Sequence, residues 1–248
     1  MGKVIFKLSL TLVLLFHNDI KAQHFEIIYD QNINNPAGTS SSECVLLIDS
    51  KRSYYYKTKT NFKQNSDVQV IENKSGYIQV FKKEFSKKEI LYSQSIANQK
   101  FSIKESIPLQ RWELQKETKK IGNYLCKKAK TNFRGREYIA WFTEELPIIG
   151  GPWKFDGLAG VILEVASTDG FFAIKSRTIS YKQVELPNPP NEIKEEDAIT
   201  WESYCNKYKE SIKKWEKAMA AKAEPGDEIK MTINTIEDMG IQGGKVSK

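Results

Sequence analysis

Histidine is nearly missing from this chain. Only His17 and His24 occur in 248 residues, and both lie close to the N-terminus. A histidine cluster for zinc is therefore excluded, and a Ser-His-Asp triad or Cys-His dyad would have to recruit His24 from the start of the sequence. No catalytic constellation, metal site or cofactor is expected. Cysteine is scarce too. Cys44, Cys126 and Cys205 allow one disulfide and a spare thiol, or they are three small buried apolar residues. Spacing does not choose between these. There is no Arg-rich block with interleaved aromatics, so no nucleic-acid partner is expected from a formal charge of +7 with both signs interspersed. No Ser, Thr or Lys sits in a nucleophile-elbow or P-loop pattern.

Long apolar runs are absent as well. The longest, Leu8 to Phe16, is interrupted by Ser9 and Thr11. With Lys3 and Lys7 before it and Ile20-Lys21-Ala22 after it, this segment reads as a secretory signal peptide covering residues 1–22, too short for a stable span. The expected mature protein starts at Gln23, has no transmembrane segment, and is exported to the periplasm or the extracellular space.

What is present is a succession of short β-type segments. Phe25–Tyr29, Val45–Ile48, Ser53–Thr58, Ile90–Tyr92, Lys100–Ile103, Tyr124–Ala129, Tyr138–Phe142, Val161–Val165 and Phe171–Ile174 are predicted strands. Asn73-Lys74-Ser75-Gly76 predicts a hairpin between Val68–Ile71 and Tyr77–Phe81, and Phe133-Arg134-Gly135-Arg136 predicts a solvated hairpin turn. Asn32 to Ser42 reads as a loop. After Pro187-Asn188-Pro189-Pro190 the period changes. Trp201, Tyr204, Cys205, Tyr208, Ile212, Trp215 and Met219 mark one face of a helix, capped by Thr200 or Asp197. The fold class is α+β, mainly antiparallel β (a curved sheet, sandwich or partial barrel), with a C-terminal amphipathic helix. The expected organisation is a signal peptide (1–22), a β-rich body (23–186), a Pro-rich linker plus helix (187–223) and a flexible tail (224–248).

Three segments carry a family resemblance. They are Trp112-Glu113-Leu114 with Glu117 to Ala129, then Phe133 to Pro147, and the loop from Gly150 to Val165. In the last, Gly157-Leu158-Ala159-Gly160-Val161-Ile162 resembles the hexapeptide that names the GLPGLI family of secreted Bacteroidota proteins. Asn234-Thr235-Ile236-Glu237 is a weaker echo of that family's C-terminal pattern. Ala159 stands where proline is usual and Val161 where leucine is usual. The resemblance implies a LolA-like carrier fold and brings no established activity with it.

Function is sought in the same loop. Trp153, Phe155 and Leu158 on a Gly/Pro-rich segment, with Trp141 from a neighbouring strand, are the expected contact surface. The expected function is non-enzymatic binding of an apolar or peptide-like ligand or a cell-envelope partner. The alternative is an assembly accessory that docks a partner through Trp201, Tyr208 and Trp215. A carboxylate hydrolase ranks last, because Glu144, Glu145, Asp156 and Glu164 have no spacing that implies convergence.

Overall fold

The computed structural model describes residues 23–36, 38–64, 79–189, 193–222, 228–230, 235–239 and 245–247. The signal peptide and most of the hairpin around Asn73–Gly76 lie outside the described residues. The rest is one curved, non-closed antiparallel sheet of 11 strands in the order β6-β5-β4-β3-β2-β1-β11-β10-β9-β8-β7. In chain order these are β1 (His24–Asn35), β2 (Gly38–Ile48), β3 (Arg52–Gln64), β4 (Val80–Glu84), β5 (Glu89–Ile96) and β6 (Gln99–Ser106). They continue with β7 (Glu113–Ile121), β8 (Tyr124–Phe133), β9 (Arg136–Thr143), β10 (Val161–Ser167) and β11 (Phe172–Lys182). One helix, α1 (Trp201–Lys222), follows. A two-stranded pair is formed by β12 (Glu228–Lys230) and β13 (Lys245–Ser247). No helix among the described residues is long and apolar enough to cross a membrane.

Period-two alternation sets the inner face. On β9, Tyr138, Ala140 and Phe142 are buried, while Glu137, Ile139 and Trp141 are half-buried on the other side. On β4, the same alternation turns Lys83 inward beside Phe81. The chain between Thr143 and Val161 joins the main core. Trp153, Phe155 and Leu158 all pack within it, against residues such as Phe81, Phe133 and Phe172.

Two expectations about organisation differ from the structure. Asn32–Ser42 is not an open loop: β1 and β2 pair out to Asn35 and Gly38. This end of the hairpin is held by polar bonds, Ser41 Oγ to Asn32 Oδ1 at 2.7 Å and Thr39 Oγ1 to Asn34 Oδ1 at 3.0 Å. It therefore lacks the apolar alternation that marks a strand in a sequence. The expected loose tail also packs where it is described. Glu237 and Met239 are buried, because a cationic site in the interior takes up the Glu237 carboxylate.

Helix α1 starts as expected, with the Ser203 amide donating to Thr200 Oγ1 at 3.1 Å. Its first turns belong to the core. Tyr204 and Cys205 are buried, and the Tyr204 hydroxyl donates to Ser95 O at 3.1 Å.

Candidate functional site

The Gly/Pro loop is the interior's main structural device, and its large residues are not a surface. Trp153 and Leu158 are 5% exposed and Phe155 is 0% exposed, which corrects the expectation that they form an exposed contact patch. The physical reason is the size of the gain. Burying a tryptophan removes about 150–250 Å² from water. At about 25 cal/mol per Å² that is roughly 4–6 kcal/mol. Trp153 has a left-handed φ of 53°. That strain costs only about 1–2 kcal/mol, so packing wins. Trp141 alone keeps partial exposure. It lies on the outer face, with the Lys119 ammonium 4.4 Å above its ring and Lys119 donating to Glu164 at 2.7 Å. The four residues singled out in the sequence therefore do not form one surface.

Gly160 shows how closely the loop is fitted. A Cβ there would meet Thr143 O at 2.1 Å, so only glycine lets the chain re-enter β10 beside the end of β9. Asp156 O accepts from Trp112 Nε1 at 2.7 Å, and Lys154 O accepts from Gln110 Nε2 at 3.1 Å.

Two buried lysines hold this loop. Lys83 of β4, 1% exposed, donates to Gly151 O at 3.1 Å, Phe155 O at 2.6 Å and Asp156 Oδ2 at 3.1 Å. Lys154, from the loop itself, is fully buried. It donates to both Glu237 oxygens at 2.9 and 2.8 Å and to the Tyr92 hydroxyl at 2.8 Å. Tyr92 in turn donates to Glu105 Oε1 at 2.9 Å. Burial lowers both lysine pKa values, and Asp156 and Glu237 respectively oppose it.

Arg134 completes the second cluster, donating to Glu105 and Glu237 with its guanidinium 4.2 Å from the Trp201 ring. Burial would lower the Arg134 pKa, but the two carboxylates raise it. The turn at Arg134-Gly135 is a hairpin tip as expected, with φ of 45° and 82°. Gly135 is exposed at this tip, while the side chain of Arg134 turns inward. Its neighbour Arg136 pairs with Asp169 and donates to Thr235 O at 2.9 Å.

The cysteines are free and buried, so Cys44, Cys126 and Cys205 act as small core residues. The acids weighed for hydrolysis are each held by a lysine: Glu144 pairs with Lys127, Asp156 with Lys83 and Glu164 with Lys119, and Glu144 and Asp156 line one groove. Glu105 and Glu237 do meet, but they are neutralised by Lys154 and Arg134 in the interior. Of the helix residues proposed for docking, Trp201 and Tyr208 are half-buried, Trp201 stacking on the buried Tyr204 and Tyr208 packing on the core, and Trp215 is exposed.

Beside the loop runs an open groove of about 990 Å³. Phe85, Ile107 and Leu109 contribute from the β4–β5 turn and the β6–β7 connector. Leu146, Ile148 and Ile149 contribute from the segment after β9. Asp156 and Ala159 of the loop reach it. Leu109 is 90% and Ile149 62% exposed. Among the described residues, the backbone groups of Leu109, Ile148 and Ile149 make no hydrogen bond. Sequence reasoning missed this groove and both lysines. Lys83 was detectable, since it shares a strand face with Phe81. Lys154 was marked by its place between Trp153 and Phe155. Nothing local marked Glu105 or Leu109.

A curved, open antiparallel sheet that encloses its own loop and leaves an apolar groove at its margin defines a mainly antiparallel β domain with one docked helix. The chain belongs to the family described as N-glycanase peptide, N-terminal domain, whose model matches residues 27–203. It is similar to solved structures described as PNGF-II in the P21 space group and in the C2 space group. The first is 17% identical with a TM-score of 0.52, covering 77% of this chain and 34% of that one. The second is 16% identical with a TM-score of 0.51, covering 86% and 35%. At this identity the likeness is one of fold. The chain spans about a third of the length of those proteins. No curated protein matches.

Proposed function

We propose that this chain is a non-catalytic, exported accessory module that binds an extended apolar peptide segment in the groove beside the loop. The observation that carries the proposal is the combination of protruding Leu109 and Ile149 with the unpaired backbone groups of Leu109, Ile148 and Ile149. An extended peptide supplies both counterparts: apolar side chains for the groove and main-chain groups for the free N–H and C=O. Burying Leu109 and Ile149 contributes roughly 1.5–3 kcal/mol each, and main-chain hydrogen bonds at about 1 kcal/mol each supply the rest of the roughly 7 kcal/mol that a complex of about 10 µM needs. The family's description speaks of an N-terminal domain of an N-glycanase, and a module of this kind would act beside a separate catalytic part. Export rests on the signal-peptide pattern of residues 1–22.

The test is fluorescence anisotropy with a labelled eight-residue peptide of alternating valine and threonine, and with the same peptide N-methylated at alternate residues. The expected dissociation constant is on the order of 10 µM. It should weaken at least tenfold for the N-methylated peptide and for a Leu109→Asp/Ile149→Asp variant, whose circular dichroism should be unchanged. Equal binding of both peptides, or undiminished binding by the variant, would refute the groove as the site.

A further inference from the structure

The cluster around Lys154 has the construction of a ligand site. Lys154 and Arg134 bring two cations to one buried point, and the Tyr92 hydroxyl accepts from Lys154 there. The Trp201 ring lies 4.2 Å from both cations and shields them from water. Only one of the two balancing carboxylates, Glu105, comes from the sheet that builds the site. The other, Glu237, arrives on residues 235–239, about a hundred positions along the chain from Arg134.

That segment is otherwise held by its backbone and by Ile236 and Met239 packing on the core. Thr235 O accepts from Arg136 at 2.9 Å, Ile236 O from the Tyr138 hydroxyl at 3.3 Å, and the Asp238 amide donates to Arg134 O at 2.8 Å. Among these contacts, the Glu237 carboxylate is the side-chain group that meets the cations. Space has been left for the segment too. A Cβ on Gly135 would lie 2.5 Å from the Asp238 Cβ.

We infer that Lys154, Arg134 and Tyr92 form a carboxylate-binding pocket in which Glu237 is an internal ligand, and that the pocket takes a free carboxylate when Glu237 is withdrawn. Without Glu237 the site keeps two cations against Glu105 alone, a net positive charge in a low-dielectric interior. An unpaired charge of this kind is costly and attracts a counter-anion. The inference is independent of the groove, because its readout is stability and not peptide binding.

The experiment is a thermal melt of full-length Glu237→Ala in formate or acetate, against sodium chloride at equal ionic strength. The substitution should lower Tm by about 10 °C. Acetate should bind with a dissociation constant on the order of 10 mM, and at ten times that concentration should restore about 4 °C. The native protein should not respond, and neither should Glu237→Ala/Lys154→Met. A Tm unchanged by Glu237→Ala, or a fallen Tm that acetate raises no more than chloride, overturns the inference. If Glu237→Ala does not fold, Gly135→Ala decides. It crowds the 235–239 segment and leaves every charged group in place, so acetate-specific stabilisation supports the pocket and its absence overturns it.

Discussion

The interior is sealed by two unlike regions. Around β1 to β4 the contacts are aromatic and apolar: Tyr29 meets Tyr55 in a T-shaped contact and Tyr55 meets Phe81 at a tilt, with Cys44 buried in the same core. Their polar atoms find neutral partners, such as Tyr29 to Ile162 O at 2.7 Å and Tyr55 to Gln31 Oε1 at 3.0 Å. Around Lys154 the seal is ionic, and each charge has partners from elements far apart in sequence. Lys83 is intermediate, since two of its three partners are main-chain carbonyls of the loop. A neutral group can be removed from such an interior at the cost of its own contacts. A charge removed from the ionic region leaves its partners stranded.

The two regions should differ most when each buried lysine is removed. Lys154→Met should cost about 4 kcal/mol, because Glu237 and Glu105 are left buried against Arg134 alone. Lys83→Met should cost about 2 kcal/mol, since Asp156 is 17% exposed and keeps a bond from the Gly157 amide. Urea melts of both variants measure the difference. Equal losses would mean that the ionic region is no more vulnerable than a set of main-chain hydrogen bonds.

A second pair of variants probes the fit of the loop between the two regions. Gly160→Ala should cost about 3 kcal/mol through collision with Thr143 O. Gly122→Ala, at a φ of 56° with open space around it, should cost only about 1 kcal/mol. Thermal melts that rank these two the other way would show that the loop yields more readily than its packing implies.

A pH-dependent effect concerns the neutral region. Burial pushes the Cys44 thiol up to about 11. The folded state then holds its proton at a pH where the unfolded chain, with a thiol near 8.5, has lost it. The stability is present below the unfolded value and is lost as pH rises through the folded one. Denaturant melts should therefore show about 2 kcal/mol lost between pH 9 and pH 11 from this residue. Cys44→Ala should flatten that part of the profile.

Much of the fold was legible in the residues. Tyr138, Ala140 and Phe142 alternate as a half-buried strand must, and Thr200 precedes the stripe from Trp201 to Met219 as a cap should. The polar end of the β1–β2 hairpin was not legible, because Ser41, Asn32, Thr39 and Asn34 bond to one another and not to a core. The site was legible in location and illegible in character. Gly150 to Val165 stood out, but an aromatic on a Gly-rich loop looks the same whether it faces solvent or the interior. The groove next to it depends on Leu109 and Ile149, some 40 residues apart.

Residue order alone settled the kind of strands, the helix and its cap, the hairpin at Gly135 and the scarcity of histidine. Those properties follow from local periodicity, backbone restriction and residue count. Only the tertiary structure decided that Trp153 and Phe155 face inward, that Lys154 meets a carboxylate 83 residues away, and that the apolar surface left open belongs to Leu109 and Ile149. The physical reason is that burial and ion pairing are set by what the folded chain brings together, and a lysine or tryptophan carries no local mark of its partners.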